Sequence, residues 1–162
     1  MRQALRSRLR SLACALPLAL LASCASFDPE WVSAEMPAAS DRVLWEVTRI
    51  ALETQNFHVL TDGFDPVTRS ATSAWQLDMH PFKGEGFRER VHIEYEAAGP
   101  GRVELSLRVE KQINNNIARP TDPEYADWKD EADDPERARV ILQQIQARLG
   151  GRSAIGEKPQ QP

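Results

Sequence analysis

Three histidines, His58, His80 and His92, are the side chains of this 162-residue chain best suited to hold a metal or move a proton near neutral pH. Asp78 and His80 stand two apart in an alternating segment, so both leave the same face of a strand and could supply two ligands. A third ligand would have to come from a neighbouring strand, and no spacing designates one. HExxH, clustered histidines and EF-hand loops do not occur, so these residues read as surface polar groups, with no metal and no other cofactor. A serine nucleophile needs a sharp presenting turn such as G-x-S-x-G. That motif is missing too, and Ser73, Ser106 and Ser153 fall in strand patterns or near the C-terminus. Glu94 and Glu96 share a strand face, a spacing that could serve acid and base roles at a glycosidic bond, but on a charged strand they read as solvated surface. The segment HPFKGEGFR, His80 to Arg88, carries its lysine before the second glycine and runs on into a strand, which is not the order of a phosphate loop. It reads as a hairpin loop whose Phe82 and Phe87 either pin it to the core or offer a contact. None of these patterns carries enzyme chemistry, and the expectation is a protein that is not an enzyme.

The cysteines point elsewhere. Arg2, Arg6, Arg8 and Arg10 precede an apolar run from Leu12 to Ala22 that is too short to span a bilayer and has the order of an export leader. Leu21-Ala22-Ser23-Cys24 closes it. On these residues the leader, 1–23, resembles that of bacterial lipoproteins. The resemblance implies cleavage before Cys24, a diacylglycerol on its thiol and a further acyl chain such as palmitate on the freed amine, since two or more chains anchor stably where one does not. The alternative is an ordinary secretory leader with Cys24 left as a free thiol. Ala25, where aspartate would retain a lipoprotein in the inner membrane, implies the outer membrane, with the domain facing the periplasm.

Cys14 lies in the leader, so the mature chain would have no thiol left for a disulfide, a zinc site or a nucleophile. The whole chain has 20 Lys+Arg against 24 Asp+Glu; losing the four leader arginines leaves 16 against 24, a net charge of −8. Such acidity disfavours nucleic acid and anionic headgroups as partners of the domain as a whole.

Residues 24–39, with Pro29 and Pro37, read as a tether in which Trp31 is either an interfacial anchor or folded back on the domain. Ser40 then caps a helix to about Gln55, with Val43, Leu44, Val47, Ile50, Ala51 and Thr54 on its apolar face and Trp45 and Leu52 opposite. Phe57–Leu60 reads as a short strand. Alternating runs follow at Ala71–Met79, with Ala71, Ser73, Trp75, Leu77 and Met79 on one side of the pleat, at Val91–Tyr95 and at Val103–Ile113, each with one buried face, the last two joined by the turn signal Gly99-Pro100-Gly101. The connection 114–133 is long and acidic, with Pro123 able to open a short helix bearing Tyr125 and Trp128. Asp134-Pro135-Glu136 starts a final helix with Ala138, Ile141, Leu142, Ile145 and Leu149 on one face, ended by Gly150-Gly151.

These elements predict a single α+β domain over 40–150, a two-layer sandwich in which an antiparallel sheet of three to four strands carries the N-terminal and C-terminal helices on one face, followed by a disordered tail, 151–162. The helix, the pattern Asp65…Thr72…Trp75, further strands and a closing helix resemble the helix-grip domains of the outer-membrane assembly lipoprotein BamC. The functional expectation is a lipid-anchored, non-enzymatic module that binds another envelope protein. Cys24 is its anchor, and Trp45, Leu52, Tyr125 and Trp128 are its contact residues. The alternative is a carrier holding a lipid or cell-wall fragment between helix and sheet, which would require an unfilled apolar cavity there. For Tyr125 and Trp128 a second reading also stands, in which both rings cap the sheet and the surrounding acids keep the segment soluble.

Overall fold

The computed structural model describes residues 27–59 and 63–156. The leader, Cys24 and the last six residues of the expected tail lie outside the described residues. Strand β1 (Val32–Pro37) leads into helix α1 (Asp41–Thr54), followed by β2 (Phe64–Asp65), β3 (Ser70–Thr72), β4 (Gln76–His80), β5 (Glu85–Gly99) and β6 (Arg102–Asn114). A short 3₁₀ turn (Pro123–Tyr125), β7 (Trp128–Glu131) and helix α2 (Pro135–Gly156) complete the order.

The expected sheet of three to four strands is corrected to seven, all antiparallel, and the folded part begins with a strand rather than a helix. The β5–β6 hairpin turns at Gly99-Pro100-Gly101, with Gly99 and Gly101 at positive φ, where glycine carries no Cβ penalty. Its arms, 15 and 13 residues long, outrun every other strand. Two short strands therefore lie end to end along each side: β3 and β4 beside β5, β1 and β7 beside β6. Strand β1 comes from the expected tether, where Val32, Ala34 and Met36 alternate toward the core, and β7 from the acidic connection. The N–H of Glu30 donates to Asp133 at 2.8 Å, so the stretch just before β1 lies against the fold rather than hanging free at that point. Phe57–Val59 forms no strand; Phe57 is instead a buried core side chain.

Both helices share the core with one sheet face. Leu44, Val47, Ala51 and Leu52 of α1 and Ala138, Ile141, Leu142, Ile145 and Leu149 of α2 bury against Val91, Ile93, Tyr95, Val103, Leu105, Leu107 and Val109. The buried arc of α1 is rotated from the expected one. Thr48 lies fully inside because it accepts a 2.7 Å hydrogen bond from the Tyr95 hydroxyl, and Leu52 turns inward with it, while Thr54 faces solvent. Burial pushes the Tyr95 pKa up to about 12, so the donor keeps its proton. Helix α2 runs through Gly150-Gly151 to Gly156, which corrects both the expected stop and the start of the tail.

One irregularity decides what the outer face displays. Thr72 pairs with His92 but Gln76 pairs with Glu89, so four steps on one strand match three on the other, and an extra residue lies between. Ser73 occupies this bulge, its Oγ accepting the Val91 N–H at 2.9 Å. A one-residue slip exchanges the faces of everything beyond it. The expected continuous run Ala71, Ser73, Trp75, Leu77, Met79 is therefore split: Ala71 and Ser73 face the core, whereas Leu77 and Met79 pair with Arg88 and Gly86 on the opposite side.

Candidate functional site

Past the bulge, alternation on β5 and β6 puts Arg88, Arg90, His92, Glu110 and Gln112 side by side on the outer face. Strand β4 adds Leu77 next to Arg88, and β7 brings Trp128 opposite Asn114 and Asp130 opposite Gln112. The Arg88 guanidinium carbon stands 4.3 Å from the Trp75 ring centre and 4.6 Å from that of Trp128, and the Arg90 carbon lies 4.4 Å over Trp75. Arg88 Nε donates to Gln112 Oε1 at 2.8 Å, and Gln112 Nε2 donates to Asp130 at 2.8 Å. Two indoles and two guanidiniums thus form a stack fixed by polar bonds at its edges. Burial lowers the Arg88 pKa, with the Arg90 charge adding to the effect.

The stack continues into a polar row. Arg90 Nε and His92 Nε2 meet Glu110 Oε2 at 2.6 and 2.7 Å, and His92 Nδ1 lies 3.3 Å from Thr72 Oγ1. Burial alone would raise the Glu110 pKa, but the bonds from Arg90 and His92 outweigh it and hold it below the ordinary glutamate value. Hydroxyl, imidazole and carboxylate in sequence resemble a nucleophile relay. Here the carboxylate is shared with an arginine, and the three residues cross the middle of a sheet face, which suits a structural row. Next to it Arg108 binds Asp133 at 2.6 Å.

The connection between β6 and β7 is built by two asparagines. Asn114 Nδ2 donates to the carbonyls of Arg119 and Pro120, and its Oδ1 accepts from the N–H groups of Asn116 and Asp127. Asn116 Oδ1 accepts from Ala118 and Arg119, and its Nδ2 donates to the Tyr125 carbonyl. This scaffold lays the Pro120 carbonyl against Gly86, where any Cβ would collide with it and with the Met79 sulfur. Tyr125 is held half exposed with the Arg119 guanidinium carbon 4.0 Å over its ring.

The four expected contact residues are not brought together. Leu52 is fully buried and out of reach of any partner. Trp45 is half buried and stacks on Phe64 at 5.2 Å, on the helix side of the molecule. Trp128 lies over the outer face of the sheet in the stack, whereas Tyr125 packs under Arg119 in the β6–β7 connection, and neither ring is part of the core. Trp75, Arg88 and Arg90 were missed. The alternation of Arg88 with Arg90 is visible in the sequence, but a pattern carried through the bulge puts Trp75 on the core face.

On the helix side the far part of the sheet is open. Phe87, Lys111, Ile113, Asn114 and the strand start Gly84–Gly86 line a groove of about 280 Å³. His80 stacks on Phe87 at 5.6 Å and pairs with Asp78 at 3.2 Å, and Lys111 Nζ lies 4.9 Å over Phe87. Among the described residues no group of three or more His, Cys, Asp or Glu is placed to hold a metal ion. Arg137 stands at the boundary between groove and core. It binds Glu89, donates to the Gln55 carbonyl at 3.1 Å and to Gln76 at 3.0 Å, and covers Phe57. Burial raises the Glu89 pKa against the pull of Arg137, and the charge of Asp134 adds to the rise.

Compared with known proteins, the chain matches no family model and no curated sequence.

Proposed function

We propose that this protein is a lipid-anchored component of the cell envelope, held through Cys24 in the outer membrane and facing the periplasm, whose domain binds another envelope protein without catalysing a reaction. The observation that carries the binding half of this reading is Arg88, whose guanidinium carbon stands over the rings of both Trp75 and Trp128. Tryptophan and arginine dominate binding hot spots because they combine large contact area with directed polar groups, and here their conformational entropy is already spent in the free protein. Leu77, 52 % exposed beside Arg88, and Tyr125, equally exposed, extend the surface with apolar area, and Asp130 and Glu110 supply a polar rim. The anchoring half rests on the leader and on the lipobox ending at Cys24.

Crosslinking in the native host, followed by capture, tests the binding surface. Arg88→Ala and Trp128→Ala should each lose crosslinked partners that wild type retains, whereas Trp45→Ala should keep them. An unchanged partner set in the first two removes the stack from the account. Detergent phase partitioning tests the anchor: wild type should enter the detergent phase and Cys24→Ala should not, and identical partitioning of both into water defeats it.

The small-ligand reading has one observation in its favour, the groove at Phe87 and Ile113. Its expected seat between α1 and the strands is occupied by Val47, Thr48, Ala51, Leu52 and Tyr95, all buried. A lipid or cell-wall fragment would therefore have to lie in the groove, and protection of Ile113 by added lipid in hydrogen exchange would support it.

A further inference from the structure

Two loop tips meet at one end of the sheet, and each carries an apolar side chain in full contact with solvent. Phe82 lies in the turn between β4 and β5 and Ile117 in the segment after β6, with relative exposures of 106 % and 94 %. The tips are neighbours because His80 pairs with Glu85 and Phe87 with Ile113, and because the Pro120 carbonyl lies against Gly86. The basic side chains of the tips are Lys83, next to Phe82, and Arg119, two residues after Ile117; Arg119 lies over Tyr125 and 3.9 Å from the Asp122 carboxylate, and Glu85, Glu124 and Asp127 stand behind them in sequence. An acidic domain thus presents two exposed apolar residues at one end, with the Lys83 cation beside one of them.

The chain enters the fold from that same end. Strand β1 is antiparallel to β6, so residues before Val32 run toward Asn114, and Phe27 reaches the recess beside Glu110, Lys111, Asp130 and Glu131. From there Asn114 is three residues further along β6, about 10 Å at a strand's rise. Three residues also separate Phe27 from Cys24, a reach of about 10 Å. A lipid on Cys24 would hold this end, and not the Gly99–Gly101 end, against the bilayer.

We propose that the Phe82 and Ile117 tips insert into the lipid headgroup zone, so that the sheet stands with its β4–β5 and β6–β7 end on the membrane and the outer-face stack to the side. Aromatic and aliphatic side chains partition into this zone, and adjacent Lys and Arg side chains reach its phosphates. The orientation rests on the anchoring proposed above, whereas tip insertion can be read without it.

The mature lipidated chain offers no thiol to a maleimide dye, so Phe82→Cys, Ile117→Cys and, as a control at the opposite end, Val67→Cys each accept a single environment-sensitive fluorophore. Val67 is exposed in the β2–β3 turn, on the side of the β5–β6 turn. In phosphatidylethanolamine–phosphatidylglycerol vesicles, emission from positions 82 and 117 should shift to shorter wavelength and be quenched by lipids spin-labelled near the headgroup, while position 67 does neither. Positions 82 and 117 behaving like 67 overturns the proposal, as does shielding without lipid quenching, which would mean that a protein covers this end. The parent chain labelled in parallel separates the two claims: dye uptake with failure to float on a density gradient defeats the anchor. In that case the same spectra with excess vesicles, corrected for the parent, still decide the tips, quenching at 82 and 117 upholding insertion and its absence overturning it.

Discussion

The two halves of the β5–β6 hairpin are built from the same alternating pattern yet end in opposite environments. In the half next to Gly99-Pro100-Gly101, the inward positions Val91, Ile93, Leu105, Leu107 and Val109 are sealed by both helices. In the other half the same positions carry Phe87, Glu89, Lys111 and Ile113, and only Glu89 is fully buried. Arg137 marks the border, since its guanidinium neutralises Glu89 at the point where helix cover stops. A strand pattern specifies which face a residue takes. What covers that face is decided by how far the helices reach.

The comparison can be broken most sharply by truncating one side chain in each half. Leu107→Ala, in the sealed half, should lose about 3 kcal/mol of unfolding free energy, the transfer and cavity cost of a buried leucine. Ile113→Ala, on the groove wall, should lose about 1 kcal/mol or less, because water already reaches its site. Urea denaturation of both variants measures the difference, and equal losses would mean that the groove is closed in solution. Arg137→Ala should cost about 2 to 3 kcal/mol, below the full value for breaking a buried pair because the arginine itself is partly in solvent. Chemical denaturation of this variant checks whether the border is as costly to breach as the core.

Gly86→Ala should cost about 1 to 2 kcal/mol, as the added methyl displaces the Pro120 carbonyl or the Met79 side chain. Hydrogen exchange over 115–127 should quicken while α1 stays protected. The smallest effect concerns pH and sets the two faces against each other. Glu110, with its pKa lowered, contributes stability that is present above the unfolded value near 4.3 and lost as pH falls through the folded value. Glu89, with its pKa raised, binds its proton more tightly when folded, so its contribution declines as pH rises from about 4.3 through the folded value. Melting temperatures between pH 3 and 7 should therefore show a shallower acid loss in Glu110→Gln. Glu89→Gln should remove the opposing decline. Parallel curves for wild type and Glu110→Gln would contradict the assigned shift.

Much of the architecture was legible where local chemistry acts alone. Ser40 caps α1, its Oγ accepting the Val43 N–H at 3.4 Å, and Gly99-Pro100-Gly101 closes the hairpin, because caps and turns depend on residues a few positions apart. Short strands escaped notice for a different reason. Trp128-Lys129-Asp130-Glu131 has one apolar residue and no alternation, and it is a strand only because β6 offers an unpaired edge. Val32–Pro37 does alternate, but between Pro29 and Pro37 it reads as a linker, and only the other edge of β6 makes it a strand. The binding candidates were half legible: Trp128 was named for its type among acids, whereas Trp75 and Arg88 depended on a bulge that no residue type announces.

Composition and spacing by themselves determined the acidic balance, α1 and the start of α2, and the long hairpin, since each is an effect of residues close in the chain or of their sum. Tertiary structure alone decided that the sheet has seven strands, that Leu52 is inside, and that Arg88 meets two tryptophan rings on the outer face while Arg90 lies over one of them. The physical reason is that strand edges, the rotation of a helix about its axis and a one-residue slip of register are settled by partners distant in sequence, and no local preference encodes them.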